Sequence, residues 1–268
     1  MIPTDTIDKL ADTWHSISDF CATLTEIQWK TPTQLPNWSV QDNLSHLIAF
    51  EAEFHGTPRP NHTAANKSHV KNDLGSSNED DVDYRRSHTG ADVLAEWNAI
   101  SSVRLQALRT ADANYFAQEV MTPAGPGTIA DFLHIRVLDC WTHEQDMRRA
   151  LGLLGHQSGP SAEHTIDRLI RTVPMVIGKR AGTPEGECVV IRITGHVQRI
   201  IATTIIEGRG KFSNEVPATT RCDISMDSDL FLQLATGRAT YEELAAHISV
   251  EGDADHANRV LTQFSMMI

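Results

Sequence analysis

The feature that most constrains this chain is a change of hydrophobic period near residue 156. Before it, apolar residues recur at threes and fours, the spacing of helices packed by one face. Ile7, Leu10, Ala11, Trp14, Ile17, Cys21 and Leu24 predict a first helix over about 5 to 28. Pro32 and Pro36 break it, Ser39 is a candidate N-cap, and a second helix is expected over about 40 to 55. Val93, Leu94, Trp97, Ile100, Val103 and Leu108 predict a third over about 89 to 111. Thr128 is placed to cap a fourth, over about 129 to 152, which Gly152 ends. Residues 56 to 88, rich in Pro, Gly, Ser, Asn and acid, predict a long loop with at most a short helical turn. Loops of that length are functional or disordered. "MTPAGPGT" predicts a turn-rich break, and nothing in this half alternates as a strand does. Helices joined in this way predict a four-helix bundle.

After the change, β-branched runs bounded by glycine take over. "GHQSGPSAEH" is a linker candidate, followed by a helix over about 161 to 177. "ECVVIRITG", "VQRIIATTIIEG" and "ATTRCDISMD" predict strands. "SDLFLQLATGRATYEELAAHI" predicts two short helices around a Gly-Arg turn, and "SVEGDADHANRVLTQFSMM" a short strand and a last helix. The fold class expected is α plus α+β: a helical bundle over 1–155, then a smaller α+β domain over 156–268.

The net charge of −12 is spread along the chain, which argues against nucleic acid and anionic membranes as partners. Cys21, Cys140, Cys188 and Cys222 form no CxxC pair and suggest reduced, buried thiols. The polar, acidic start lacks the features of a signal peptide, and no apolar run is long enough to span a bilayer. A cytoplasmic protein is expected. Of thirteen histidines, His55, His62, His69 and His88 crowd into the loop region, where simple solvation explains them.

The chemistry-bearing pattern lies on the fourth helix. Arg136, Asp139, His143 and Asp146 are spaced to share one face. An acid and an imidazole at i, i+4 can reach one metal ion from a single helix, and His46 on the second helix can supply a third ligand across the bundle. Three ligands leave a position open, as catalytic sites do. The same pair also occurs as a weak surface ion pair. Arg136 is either a partner of Asp139 or Asp146 or an exposed charge, and the exposed charge is the simpler reading. Trp38 and Trp141 fit core positions, and either can instead wall a pocket. Arg85 and Arg86, and Arg221 and Arg238, can meet anions or be solvated. Cys140 points away from Asp139 and fits a packed thiol. There is no GxGxxG before a helix, no GxxxxGK[ST], no GxSxG and no HExxH, and "GRGK" at Gly208 is too short for a phosphate loop.

"LPNWSVQDNLSHLIAFE" and "RVLDCWTHEQDMRRALG" resemble the second- and fourth-helix signatures of the DinB-like, mycothiol-dependent maleylpyruvate isomerase superfamily. "DISMDSDLFLQLATGRATYEELAAHISVEGDADHANRVLTQF" resembles its sterol-carrier-like C-terminal domain. The resemblance implies His46, Asp139 and His143 as ligands of a divalent metal, typically zinc. The family commonly has Glu where this chain has Asp139, one methylene shorter. It further implies mycothiol as a cofactor whose thiolate the metal stabilises for attack on an electrophilic substrate. In the isomerase the thiolate adds to the cis double bond of maleylpyruvate, the adduct rotates, and elimination gives fumarylpyruvate. Arg136 and Arg221 are expected as cationic groups of the site. The expectation is a metal-dependent thiol-cofactor enzyme, isomerase or S-transferase, monomer or homodimer. The alternative is a non-catalytic metal-binding or regulatory protein using its acidic, His-rich loop to bind a partner.

Overall fold

The four periodic segments of the first half form the helices that their spacing demands. In this computed structural model, which describes residues 1–266, α1 is Thr4–Cys21, α2 Glu26–Trp29, α3 Val40–Phe54, α4 Asp73–Arg85, α5 Gly90–Thr110, α6 Ala113–Phe116 and α7 Ile129–Leu151. Three long helices start with capping boxes: Ser39 with Asp42, Thr89 with Asp92, and Thr128 with Asp131. Each satisfies backbone N–H groups that a helix start leaves open. Gly152, at φ 64°, closes α7 in the left-handed conformation that glycine adopts without strain.

The bundle core is what the apolar stripes bury. Leu10, Ile17, Leu44, Leu47, Ile48, Val93, Leu133 and Met147 are fully or almost fully enclosed. Trp14 and Trp97 meet edge to face with ring centroids 5.9 Å apart. Each such aliphatic side chain contributes roughly 1.5–3 kcal/mol. α1 packs on α5 and α7, and α3 packs on α4, α5 and α7.

Three sequence expectations in this half need correction. The first helix does not continue to residue 28: it ends at Cys21, and Thr25 caps the short α2 through a capping box with Gln28. The expected long loop contains α4, a 13-residue helix. "MTPAGPGT" is part of a hairpin in which β1 (Glu119–Thr122) pairs antiparallel with β2 (Gly125–Thr128).

The chain divides into two compact units, Met1–His156 and Gln157–Ile268. The second opens with α8 (Pro160–Ile170), α9 (Val173–Met175) and a π turn, Val176–Arg180. The single helix expected over 161 to 177 is therefore interrupted at Arg171 and Thr172, just ahead of Pro174, which has no N–H to donate to the preceding turn. Then come β3 (Cys188–Thr194), β4 (Arg199–Ile206), β5 (Arg209–Phe212), β6 (Cys222–Asp227), α10 (Ser228–Ala235), α11 (Tyr241–Leu244), β7 (Ser249–Gly252) and α12 (Ala254–Thr262). The five strands form one sheet in the order β5-β4-β3-β6-β7, with β3 and β6 parallel and the other pairs antiparallel. "GRGK" is the turn and start of the β4–β5 hairpin rather than a phosphate loop. Among the described residues no helix is long and apolar enough to cross a membrane.

Candidate metal centre

α3 and α7 pack side by side, and their facing sides carry His46, Asp139 and His143. One ligand atom from each lies within 4.8 Å of the others. His46 Nε2 is 3.5 Å from one oxygen of Asp139, and His143 Nε2 is 3.6 Å from the other. The short aspartate thus reaches both imidazoles. The histidine side chains are 6% and 7% exposed and Asp139 is 18% exposed, so the cluster is nearly enclosed, with the carboxylate as its wettest member.

The electrostatics set the charge states of His46 and Asp139. Burial pushes the His46 imidazolium down to about 4, against the pull of Asp139, so the ring is neutral near pH 7. Burial would raise the Asp139 carboxyl, but Arg136 and His143 outweigh it and hold it well below the usual carboxylate range. A neutral His46 imidazole and an ionised Asp139 result.

The tautomer of His143 is set from behind. Asn43 Nδ2 donates to the carbonyl of Ser39 at 2.9 Å, which turns its Oδ1 toward His143 Nδ1, 2.7 Å away. Nδ1 therefore carries the proton, and Nε2 presents its lone pair to the cluster. His46 Nδ1 is buried and has no hydrogen-bond partner. That ring is held by packing: Trp38 at 5.2 Å, Phe50 at 5.0 Å and His143 at 4.7 Å between ring centroids.

Arg136 is not the exposed helix charge that the sequence suggested; its side chain is 3% exposed. It donates to Asp139 at 2.6 Å, to Glu51 at 2.8 Å and to the sulfur of Cys140 at 3.3 Å. Glu51 also accepts from Arg104 at 3.4 Å. Arg136 thus fixes the carboxylate oxygen of Asp139 that faces His46 and leaves the other to His143. Cys140 is enclosed, as expected, with its thiol pushed up to about 12 by burial.

The donor set, two imidazole nitrogens and a carboxylate converging from two rigid helices with an orienting group behind one of them, fits a zinc-like divalent ion. Among the described residues no other group of His, Cys, Asp and Glu gathers in this way.

Other candidates are placed differently. Arg85 and Arg86 are not a solvated pair: Arg85 holds Glu96 and the carbonyl of Asp81, and Arg86 holds Glu79, Asp83 and Asp42. His62 and His69 are likewise engaged, with Asp83 and Glu79. Arg221 belongs to the second unit, where its terminal nitrogens bind Glu187 and Asp253. Arg238 donates to the carbonyl of Thr236. Trp141 donates to the carbonyl of His156, and Asp146 is buried 3.5 Å from His143 Nδ1. Asn43, Glu51 and Glu79 were not singled out as site residues. Asn43 stands three residues before His46 on the same face, and Glu51 is an acid within an apolar stripe; both are signals in the sequence.

A helical bundle holding this cluster, followed by an α+β unit, defines the class of protein. The family model described as the mycothiol maleylpyruvate isomerase N-terminal domain matches residues 10–148, more than half of the chain. The chain belongs to that family. It is similar to the crystal structure of the mycothiol-dependent maleylpyruvate isomerase, with TM-score 0.54 and 14% identity over 94% of this chain and 93% of that one. A mutant of that enzyme matches at TM-score 0.57 with the same identity and coverage. These likenesses establish the fold along nearly the whole chain. Sterol Carrier Protein 2 from Yarrowia lipolytica matches 38% of this chain and 91% of its own at TM-score 0.28 and 14% identity. No curated protein matches.

Proposed function

We propose that the chain is a mycothiol-dependent enzyme, an isomerase of the maleylpyruvate type or a thiol transferase, with His46, Asp139 and His143 as ligands of a divalent metal, zinc by donor chemistry. The observation that carries this is the convergence of the three ligand atoms within 4.8 Å. Family membership and the fold likeness support it. When bound, the metal would supply a Lewis-acidic position that keeps a cofactor thiol as its thiolate at neutral pH.

The chain's own residues do the rest. His46 offers the Nε2 of a neutral ring, His143 its own Nε2, and Asp139 the negative charge. Asn43 fixes the proton of His143 on Nδ1. Arg136 aims Asp139 and keeps it ionised. The apolar surroundings of α3 and α7 exclude water, which strengthens charge interactions in the site. Arg221, in the second unit, is already bound by Glu187 and Asp253. His62 and His69 of the loop pair with Asp83 and Glu79 of α4, which engages part of the segment that favoured a partner-binding module.

The test is turnover of maleylpyruvate with mycothiol, followed as fumarylpyruvate. The reading expects activity that chelation abolishes and zinc restores. Activity that survives exhaustive chelation, or firm metal binding with no thiol-dependent turnover, overturns it.

A further inference from the structure

We propose that Glu79, on α4, is a positioning residue of the metal centre, acting through Trp38. The inference rests on the metal-site reading above and goes beyond it, because α4 contributes no ligand. The starting point is an asymmetry between the two histidines. His143 is oriented by the hydrogen bond its Nδ1 donates to Asn43, whereas His46 Nδ1 has none. A ring without an anchoring hydrogen bond turns about χ2 unless its neighbours stop it. Trp38 is the neighbour that touches both rings, 5.2 Å from His46 and 6.0 Å from His143 between centroids.

Trp38 itself sits on a turn, so something must fix it. The backbone part is local. Thr33 donates to the carbonyl of Trp38 through its N–H and its hydroxyl, at 2.8 and 2.9 Å. Asn37 takes φ 63°, a left-handed conformation that asparagine tolerates better than most residues. The indole is fixed from farther away: Nε1 donates to Glu79 Oε2 at 3.0 Å. Glu79 is 1% exposed and is itself held by Arg86 at 2.7 Å and by His69 at 3.1 Å. A buried carboxylate already held by a guanidinium and a histidine ring is a stiff anchor. The line from Arg86 and His69 through Glu79 and Trp38 to His46 is continuous.

The same carboxylate ties the irregular segment 57–72 to this line. Arg59 binds Asp81, His62 binds Asp83, Lys67 binds Asp80 and His69 binds Glu79. The acidic run of α4 thus receives the segment, and its last tether shares an oxygen with Trp38. Trp38 therefore does for His46 what Asn43 does for His143, with α4 as its support.

The experiment is zinc titration of the full chain against a chromophoric chelator, with wild type, Glu79→Leu, Glu79→Gln, Trp38→Phe and the Glu79→Leu/Trp38→Phe double variant. Unfolding curves establish which variants are folded. Orienting groups behind metal ligands are worth about 10–100-fold in affinity. Glu79→Leu is expected to weaken zinc binding at least about tenfold. Glu79→Gln, which keeps an acceptor for the indole, is expected to recover most of that loss. Trp38→Phe removes the donor from the other end and is expected to match Glu79→Leu, with the double variant no weaker than either single one. Wild-type zinc affinity in folded Glu79→Leu and Trp38→Phe overturns the proposal, as do losses that add in the double variant. If Glu79→Leu does not fold, Trp38→Phe with Glu79→Gln decides by the same criteria. Failure of wild type to bind zinc sinks the metal site itself, and this proposal with it.

Discussion

Asn43 Oδ1 lies 2.7 Å from His143 Nδ1, with the asparagine amide locked by the carbonyl of Ser39. The contact fixes which imidazole nitrogen faces Asp139. Asn43→Leu is expected to lower zinc affinity by about 10–100-fold while the bundle still folds. Chelator competition measures it. Wild-type affinity in the folded variant would show that the contact does not set the tautomer.

Arg136 stands between two carboxylates, Glu51 and Asp139, almost without solvent. Arg136→Met leaves Asp139 without its guanidinium and Glu51 with Arg104 alone. Breaking a buried pair from one side costs about 3–5 kcal/mol. Urea unfolding at neutral pH is the measurement, and a change below about 1 kcal/mol, the worth of a surface pair, would contradict the burial of this network.

His156 sits at φ 53° and is held between Glu144 at 2.7 Å and Asp12 at 3.1 Å. Burial pushes its imidazolium down, but the two carboxylates outweigh this and raise it above its ordinary value. The folded form therefore binds the proton more tightly than the unfolded chain. The resulting stability is complete below the unfolded value of about 6.5 and is lost as pH rises through the higher folded value. His156→Gln is expected to destabilise the chain most at pH 5.5 and progressively less toward pH 8.5. Urea midpoints at both values check the trend; a gap that widens with pH would reverse the sign.

Much of the bundle was legible because its helices bury apolar stripes of helical period, and the capping residues Ser39 and Thr128 mark their starts. α4 was not legible for a physical reason. Its buried residues are Glu79, Asp81, Val82 and Arg85, so it packs by ion pairs and carries almost no apolar period. Its partners lie in the segment before it, as with Asp81 and Arg59, and on the next helix, as with Arg85 and Glu96, and no local spacing reveals that. The β1–β2 hairpin was hidden by Gly125, Pro126 and Gly127, which read as breakers yet pair across a short ladder. β5 is a four-residue edge strand with a glycine inside it.

In the site, Asp139 and His143 were legible from their i, i+4 spacing, His46 was a candidate third ligand across the bundle, and the family resemblance implied all three as one set. The structure brings the three together. Trp38's relation to Glu79 spans forty-one positions of sequence, and the enclosure of Arg136 depends on Glu51 from another helix. Long-range pairing of charges leaves no periodic trace, so these contacts needed coordinates.

The most direct test is the metal content of the purified full chain, measured by elemental analysis beside His46→Ala and His143→Ala. A three-ligand site predicts about one divalent ion per chain in wild type and loss of most of it in each folded variant. Equal metal content in all three proteins, or none in wild type after zinc loading and desalting, would contradict a centre built from His46, Asp139 and His143.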